Sequence, residues 1–520
     1  MTDDPRTPAD GCLREVDVPR PSLENNTADA ERLAEALEKV LNGDPVHVGH
    51  AVVRRLPSML RDAGHRLRCA VIQQDGRWQV CGIRPADETA SMTGLAVDLG
   101  TTRVVLRLVD LARGETLAET AFDNPQIEIG PDILTRIHHA EKPGGREQLQ
   151  ACIIAGMKTA LEEMLADCGQ SPRNVFLAAV AGNTAMTHLF LGLEPRWIIR
   201  EPYIPAVNRP ELLTPRDLGL PMNDMGRIFV FPNIGSYFGG DLIAGILFSG
   251  MDTREAPAIL VDVGTNAEVV LGNRDWLMAC AGAAGPALES GVAGIGMMAA
   301  PGVIERVAIH PPDRRFELRT IGNRPPVGIC GSGVIDLAAH LFISGMIDIR
   351  GRFVPEKCGD RLVKDENGIA HLVLVPAEAS GTGRDLTIGQ PDLDSLMRSK
   401  AAMYTILETI TGSVGLSMEE LDKFFVAGTF GSLIDPVSAI RIGMLPDLPL
   451  ERYEAIGNSS LGGATRVLTD CGAIGRIEAI RRRITYMELN VNQDFMNRFS
   501  AAKFLPHTHP ERFPSVKVWG

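Results

Sequence analysis

Aromatic side chains are scarce in this chain, 5% of 520 residues, and the three consecutive arginines Arg481–Arg483 suit a helix end and need no ligand. With a formal net charge of −13, a nucleic-acid surface is excluded unless a local basic patch exists, and none is visible. The nine cysteines (Cys12, Cys69, Cys81, Cys152, Cys168, Cys280, Cys330, Cys358, Cys471) lie far apart, without any CxxC. That spacing suits neither zinc nor an iron–sulfur cluster, and reduced thiols in a cytoplasm are the simplest reading. His507 and His509 stand two apart without further ligands, a weak metal signal. The opening Met1-Thr2-Asp3-Asp4-Pro5 lacks the basic and apolar regions of a signal peptide. The longest apolar tract, Ala279 to Ile304, is broken by Glu289 and many glycines; it reads as buried turns, not as a membrane span.

Glycine is plentiful, at 53 residues, and apolar residues make up 45%. That mixture fits close-packed α/β domains with glycine-rich ligand loops, and the length suggests two to four of them. Residues 1–27 show no periodicity and read as a disordered tail. Residues 28–92 read as a small α/β module and linker: a helix to about Leu41, capped by Asn26 or Thr27, a second helix over Val52–Asp62, and a hairpin across Gln74-Asp75-Gly76. Two larger subdomains follow, 93–255 and 256–520, the second ending in helices that return to the first.

One stretch organises the rest. Gly94-Leu-Ala-Val-Asp98-Leu-Gly100-Thr101-Thr102-Arg103 reads as a buried strand, a tight turn and a second strand. It is echoed at Ile259-Leu-Val-Asp262-Val-Gly264-Thr265-Asn266, again followed by a strand. Either turn alone is an ordinary hairpin feature; the repetition suggests an internal duplication. Two such loops facing each other would hold a nucleotide polyphosphate, backbone N–H groups cradling phosphate and each aspartate holding Mg²⁺ through water.

Four further sites have a ligand reading beside a plainer one. Asn183, in Ala181-Gly-Asn-Thr, ends a buried strand at a helix start, where an anion or merely a turn is accommodated. Asp241 follows Gly239-Gly240 before an apolar helix. It either caps that helix or orients the group attacking a γ-phosphate. Gly331-Ser332-Gly333 opens a helix as phosphate contact, hinge or tight turn. Gly428-Thr429-Phe430-Gly431 closes a strand and lets backbone lie flat against a base or ribose, or simply turns.

The ordered set resembles the acetate and sugar kinase, seventy-kilodalton heat-shock chaperone and actin superfamily, in which two RNase H-like domains close on ATP. The resemblance implies an α/β fold with two such actin-like ATPase domains around a nucleotide cleft, preceded by the small module. It implies phosphate contacts at 98–103 and 262–266, adenosine contact at 428–431, and connecting segments at 181–186 and 331–335. A closer likeness rests on Asp123-Asn-Pro-Gln, Gly182-Asn183-Thr184 with Met186 and His188, Asp262-Val-Gly-Thr-Asn, Gly328-Ile-Cys-Gly-Ser-Gly and Leu445-Pro-Asp-Leu-Pro. These resemble the ATP-dependent reductive activators of corrinoid iron–sulfur proteins and corrinoid methyltransferase systems, from about residue 28 to 515. That family implies ATP and Mg²⁺ as cofactors and a corrinoid protein as partner, whose Co(II) is returned to Co(I).

Such activators usually carry a cluster-binding domain. No cluster-ligand spacing occurs here, so no iron–sulfur cluster is expected in this chain, and a separate donor or reductase would supply the electron. A homodimer is a further option; no membrane partner is expected. Asp241, Asp98 and Asp262 are then the catalytic set, with Gly100, Thr101, Thr102, Arg103, Asn183, Gly264, Thr265, Asn266, Gly331, Ser332, Gly333, Gly428, Thr429, Phe430 and Gly431 binding nucleotide. Two rivals stand beside this: a small-molecule kinase acting on a sugar or carboxylate, and a nucleotide-dependent scaffold.

Overall fold

The strand Thr93–Leu99 is apolar at nearly every position and buried throughout except at Asp98. A strand buried on both faces must sit at the centre of a sheet with helices on either side. The computed structural model, which describes residues 11–263, 267–282, 293–428, 434–489 and 493–518, places it there. The chain divides into two units. One comprises residues through Gly250 together with Ser459–Arg483; the other comprises Met251–Asn458 and the residues from Ile484 onward.

The first unit begins with a four-stranded sheet of order β1-β3-β4-β2. Its strands are β1 (Leu13–Asp17), β2 (Val46–Val48), β3 (Arg66–Gln74) and β4 (Arg77–Pro85), with helix α1 (Asp29–Val40) beside them. The expected disordered tail over 1–27 is therefore corrected for β1, which pairs antiparallel with β3 from Leu13↔Ala70 to Asp17↔Arg66. Only Val16 is buried within that short strand, flanked by buried Cys12 and Val18. So brief a pattern shows no periodicity, and pairing to the edge of β3 supplies the order. Gly82 on β4 lies against the Phe176 ring, where an added Cβ would come within 2.1 Å of a ring carbon.

A five-stranded sheet follows, ordered β7-β6-β5-β8-β9, from β5 (Thr93–Leu99), β6 (Arg103–Asp110), β7 (Thr116–Asp123), β8 (Val175–Gly182) and β9 (Arg227–Val230). The first three are antiparallel; β8 and β9 add parallel on the other side of β5. Helices α2 (Ile133–Ala140), α3 (Gly145–Asp167), α4 (Thr184–Leu191) and α5 (Gly240–Ser249) connect them. α3 and α4 give Leu149, Ile153, Met157, Leu161, Leu189 and Phe190 to the core beneath β5, β6 and β8.

The second unit repeats this plan. Strands β10 (Ala258–Val263), β11 (Ala267–Gly272) and β12 (Leu277–Gly282) form an antiparallel meander. After β13 (Val303–His310), β14 (Arg315–Thr320), β15 (Gly328–Ile329) and helix α6 (Gly331–Ile343), a small sheet of β16 (Leu362–Lys364), β17 (Ala370–Val375) and β18 (Leu386–Gly389) leads into helix α7 (Gln390–Ser413). Then β19 (Lys423–Ala427) and β20 (Tyr453–Gly457) add parallel beside β10, and β21 (Ile484–Tyr486) adds to the far edge. The order β12-β11-β10-β19-β20 matches β7-β6-β5-β8-β9 in both connectivity and strand direction. The duplication read from two aspartate turns is a duplication of whole sheets, each with the RNase H-like arrangement.

The late return to the first unit consists of two helices, Ser459–Thr469 and Ala473–Arg483. Gly462 and Gly463 permit it. A Cβ on Gly463 would stand 2.3 Å from the Ala244 carbonyl oxygen, and one on Gly462 would be 2.5 Å from the Phe248 ring. Helix Ser459–Thr469 thus lies directly on the backbone of α5. Gly463→Val forces these helices apart and is expected to cost about 3 kcal/mol. Calorimetry should show the first thermal transition lowered by roughly 6–12 °C. Among the described residues no helix is long and apolar enough to cross a membrane.

Candidate nucleotide site

In the first unit the parallel pairing of β5 with β8 sets Asp98 beside Ala181 and Leu99 beside Gly182. Two strands pointing the same way deliver two loops to one end of the sheet, where ligands of open α/β sheets bind. The first loop, Gly100–Thr102, is tight: a Cβ on Gly100 would lie 2.1 Å from the Arg103 carbonyl oxygen. The second is the cap of α4. Asn183 Oδ1 accepts from the Met186 N–H at 2.9 Å, while its Nδ2 donates to Thr101 Oγ1 at 3.0 Å. One side chain therefore closes a helix start and ties the two loops together.

A second strut was missed by sequence reasoning. Asn124, buried behind the turn, donates from Nδ2 to the Gly100 carbonyl at 3.0 Å and accepts the Gln126 N–H at Oδ1. Its own N–H donates to the Thr102 carbonyl at 2.8 Å. The Asn-Pro dipeptide signals a turn, but nothing local says that its amide reaches back 24 residues.

Asp241 completes the group. α5 starts at Gly240 with Gly239 as its N-cap, so Asp241 is not the cap that one sequence reading made of it. Its carboxylate takes the adjacent Leu242 N–H at 2.9 Å. Gly239 is confined: a Cβ there would be 2.5 Å from both Asn183 Cα and Asp241 Oδ1. Glycine at this point brings the start of α5, with Asp241 in its first turn, flush against the α4 cap. Burial raises the Asp241 carboxyl from its usual 3.8 to about 6, opposed by the Leu242 N–H and reinforced by the like charge of Asp98. Asp98, Thr101 and Asp241 supply hard oxygen donors, the set that suits Mg²⁺. Thr102 and Arg103 are exposed on the same turn.

The second unit repeats the geometry. Asp262 pairs with Ala427 as Asp98 does with Ala181. The following Gly428 has φ +78°, and a Cβ on it would lie 3.1 Å from Asp262 Oδ1. That carboxylate therefore rests over a left-handed glycine. Gly264, Thr265, Asn266, Thr429, Phe430 and Gly431 lie outside the described residues. Gly331, Ser332 and Gly333 start α6 and serve close packing: Ser332 Oγ donates to the Glu305 carbonyl at 3.3 Å, and a Cβ on Gly333 would be 2.6 Å from the Ile304 carbonyl oxygen. His507 is buried between the Tyr404 and Phe513 rings, at centroid distances of 5.3 and 6.4 Å. Among the described residues no cluster of three or more His, Cys, Asp or Glu is placed to hold a metal ion.

Three family models match in sequence: the RACo linker region over residues 12–90, the RACo middle region over 93–254, and the C-terminal domain of RACo, the ASKHA domain, over 256–517. The corrinoid activation enzyme RamQ of Eubacterium limosum is 32% identical over 415 residues, 78% of this chain and 69% of RamQ. The Co(II) methylated amine-specific corrinoid protein reductase of Methanosarcina barkeri is 25% identical, covering 78% of this chain and 76% of its own. A solved structure, a reductive activator for corrinoid, iron–sulfur protein, superposes with a TM-score of 0.85 at 36% identity, over 99% of this chain and 82% of that one. The chain belongs to the RACo family of corrinoid-protein reductive activators, with an actin-like ASKHA ATPase domain.

Proposed function

We propose that the chain binds and hydrolyses Mg·ATP to help return the Co(II) corrinoid of a partner protein to Co(I). The likeness to the reductive activator over 99% of the chain carries this reading. Asp98 and Asp262 each hold Mg²⁺ through water. Thr101, Thr102 and Arg103, with Thr265 and Asn266, hold phosphate; the 428–431 turn takes the adenosine, and Gly331–Gly333 makes a further contact. Asp241 orients the attacking water and takes its proton. Mg²⁺, when bound, neutralises phosphate charge and polarises the transferred group. A separate donor supplies the electron, and reduced thiols on all nine cysteines accord with a cytoplasmic setting.

The energetics permit this. Moving one electron uphill by about 0.2 V costs roughly 5 kcal/mol, since ~59 mV corresponds to ~1.4 kcal/mol. A closed state with different affinity for the two cobalt states supplies that, and hydrolysis resets it. The test is a spectral assay of a purified Co(II) corrinoid protein with a reductant, this chain and Mg·ATP. Conversion to Co(I) that requires ATP and releases free phosphate is expected. ATP consumption that instead tracks an added sugar or carboxylate, without free phosphate, would establish the kinase alternative.

A further inference from the structure

Arg136 on α2 is fully buried, 0% exposed. Its Nε donates to the Gly130 carbonyl at 2.8 Å, and its Nη1 reaches Gln126 Oε1 and Met186 Sδ, both at 3.3 Å. Its Nη2 is buried without a hydrogen-bond partner. No carboxylate forms an ion pair with it among the described residues; Asp132 acts on it only through space, from an exposed position where its oxygens are taken by Thr135. Burial lowers its pKa to about 10, so it stays charged at neutral pH. An unpaired cation inside a protein is expensive, and an apolar side chain of similar volume would fill the space more cheaply. Fold alone gives little reason for it.

Its neighbours give one. Gln126 is fixed by donating Nε2 to the Leu149 carbonyl at 2.9 Å, so its Oε1 is aimed at the guanidinium. The Gln126 N–H donates to Asn124, whose amide holds the Gly100 carbonyl. Met186, the other Nη1 neighbour, donates its N–H to Asn183, which holds Thr101. Arg136 therefore touches the base of both struts that clamp the first phosphate turn. Asn124 Nδ2 and Arg136 Nη1 share Met186 Sδ, at 4.0 and 3.3 Å.

We propose that Arg136 is a positioning residue for the nucleotide: a fixed buried cation beneath the Gly100–Thr102 turn, whose counter-charge is the bound polyphosphate and whose side chain sets both struts. The charge acts through a poorly screened interior, so its pull on an anion at the turn reaches beyond hydrogen-bond distance. The inference rests on the reading of this turn as a phosphate site.

The test separates charge from shape by comparing ligands with different numbers of phosphates. Calorimetric titration of the full chain with adenosine, AMP, ADP and ATP, with Mg²⁺ present, is repeated on Arg136→Met. The expected result is adenosine affinity within about 2-fold of the parent, ATP affinity down about 10-fold or more, and a loss that grows with phosphate number. Gln126→Glu leaves the arginine in place and sets a carboxylate beside it; it should produce the same graded loss even if Arg136→Met does not fold. Equal loss for adenosine and ATP in the soluble variants would overturn the proposal in favour of a structural role, as would no loss for either. A parent chain that binds no ATP would instead sink the nucleotide reading, and this inference with it.

Discussion

Asp241→Asn is expected to slow ATP turnover by about 10²–10⁴-fold, with Mg·ATP affinity changed only a few-fold and thermal stability equal or higher. The three readouts follow from one geometry. Asp241 stands in the first turn of α5, where its carboxylate accepts the Leu242 N–H. An amide keeps that acceptor but cannot take a proton from water. The ionised carboxylate is unfavourable here, because burial and the Asp98 charge both oppose it; an amide escapes both. A variant that loses turnover, stability and affinity together would show a structural aspartate, and unchanged turnover would remove it from the chemistry.

The same carboxyl predicts a pH limb. Its folded value, about 6, lies above its ordinary 3.8. The native chain therefore binds an extra proton between about pH 4 and 6. The stability this group contributes is present at the acidic end of that window and declines as pH rises through 6. A base needs the opposite state, so turnover should rise across the region where this stability falls. Stopped-time phosphate release between pH 5 and 8, paired with melting at each pH, reads both slopes. A rate limb that persists in residual Asp241→Asn activity would assign the titration to another group.

The second large effect is at the duplicated aspartate. Asp262→Ala should erase the Mg²⁺ dependence of nucleotide binding, so that ATP titrations with Mg²⁺ and with EDTA coincide. Asp98→Ala is the matched comparison, because the two residues hold the same register position in sheets that share a five-strand order. Gly428→Ala tests the surroundings. At φ +78° any side chain is strained, and the new methyl would sit 3.1 Å from Asp262 Oδ1. Left-handed backbone costs about 1–2 kcal/mol for a residue with a Cβ, so melting of the second unit should fall by roughly 2–8 °C, the Mg²⁺ dependence of ATP binding remaining. Turnover unaffected by Asp262→Ala would refute the site.

Much of this was legible because it is local. The apolar–Asp–apolar–Gly pattern specifies a strand and turn wherever it occurs, so both aspartates and both sheets could be anticipated. Asp241 was visible for the same reason, although its role as helix cap was not sustained: Gly239 and Gly240 start the helix earlier. What escaped were contacts made across sequence. β1 has too few apolar residues to announce itself and is ordered by β3. Asn124 and Arg136 are a loop asparagine and a helix arginine until the fold carries them beneath Gly100. The packing of Ser332 and Gly333 against the Glu305 and Ile304 carbonyls is likewise a contact between segments that nothing local announces.

The helix Ser459–Thr469 lies on α5, and its Leu468 meets Gly94 at the start of the central strand β5. During biosynthesis, therefore, the five-stranded sheet around β5 emerges from the ribosome with a missing wall. Some two hundred residues of intervening chain must be translated before that wall arrives. Until then the apolar faces of β5 and α5 are open to water, so a nascent or truncated product ending near Asn458 should depend on holdase chaperones and aggregate readily once released.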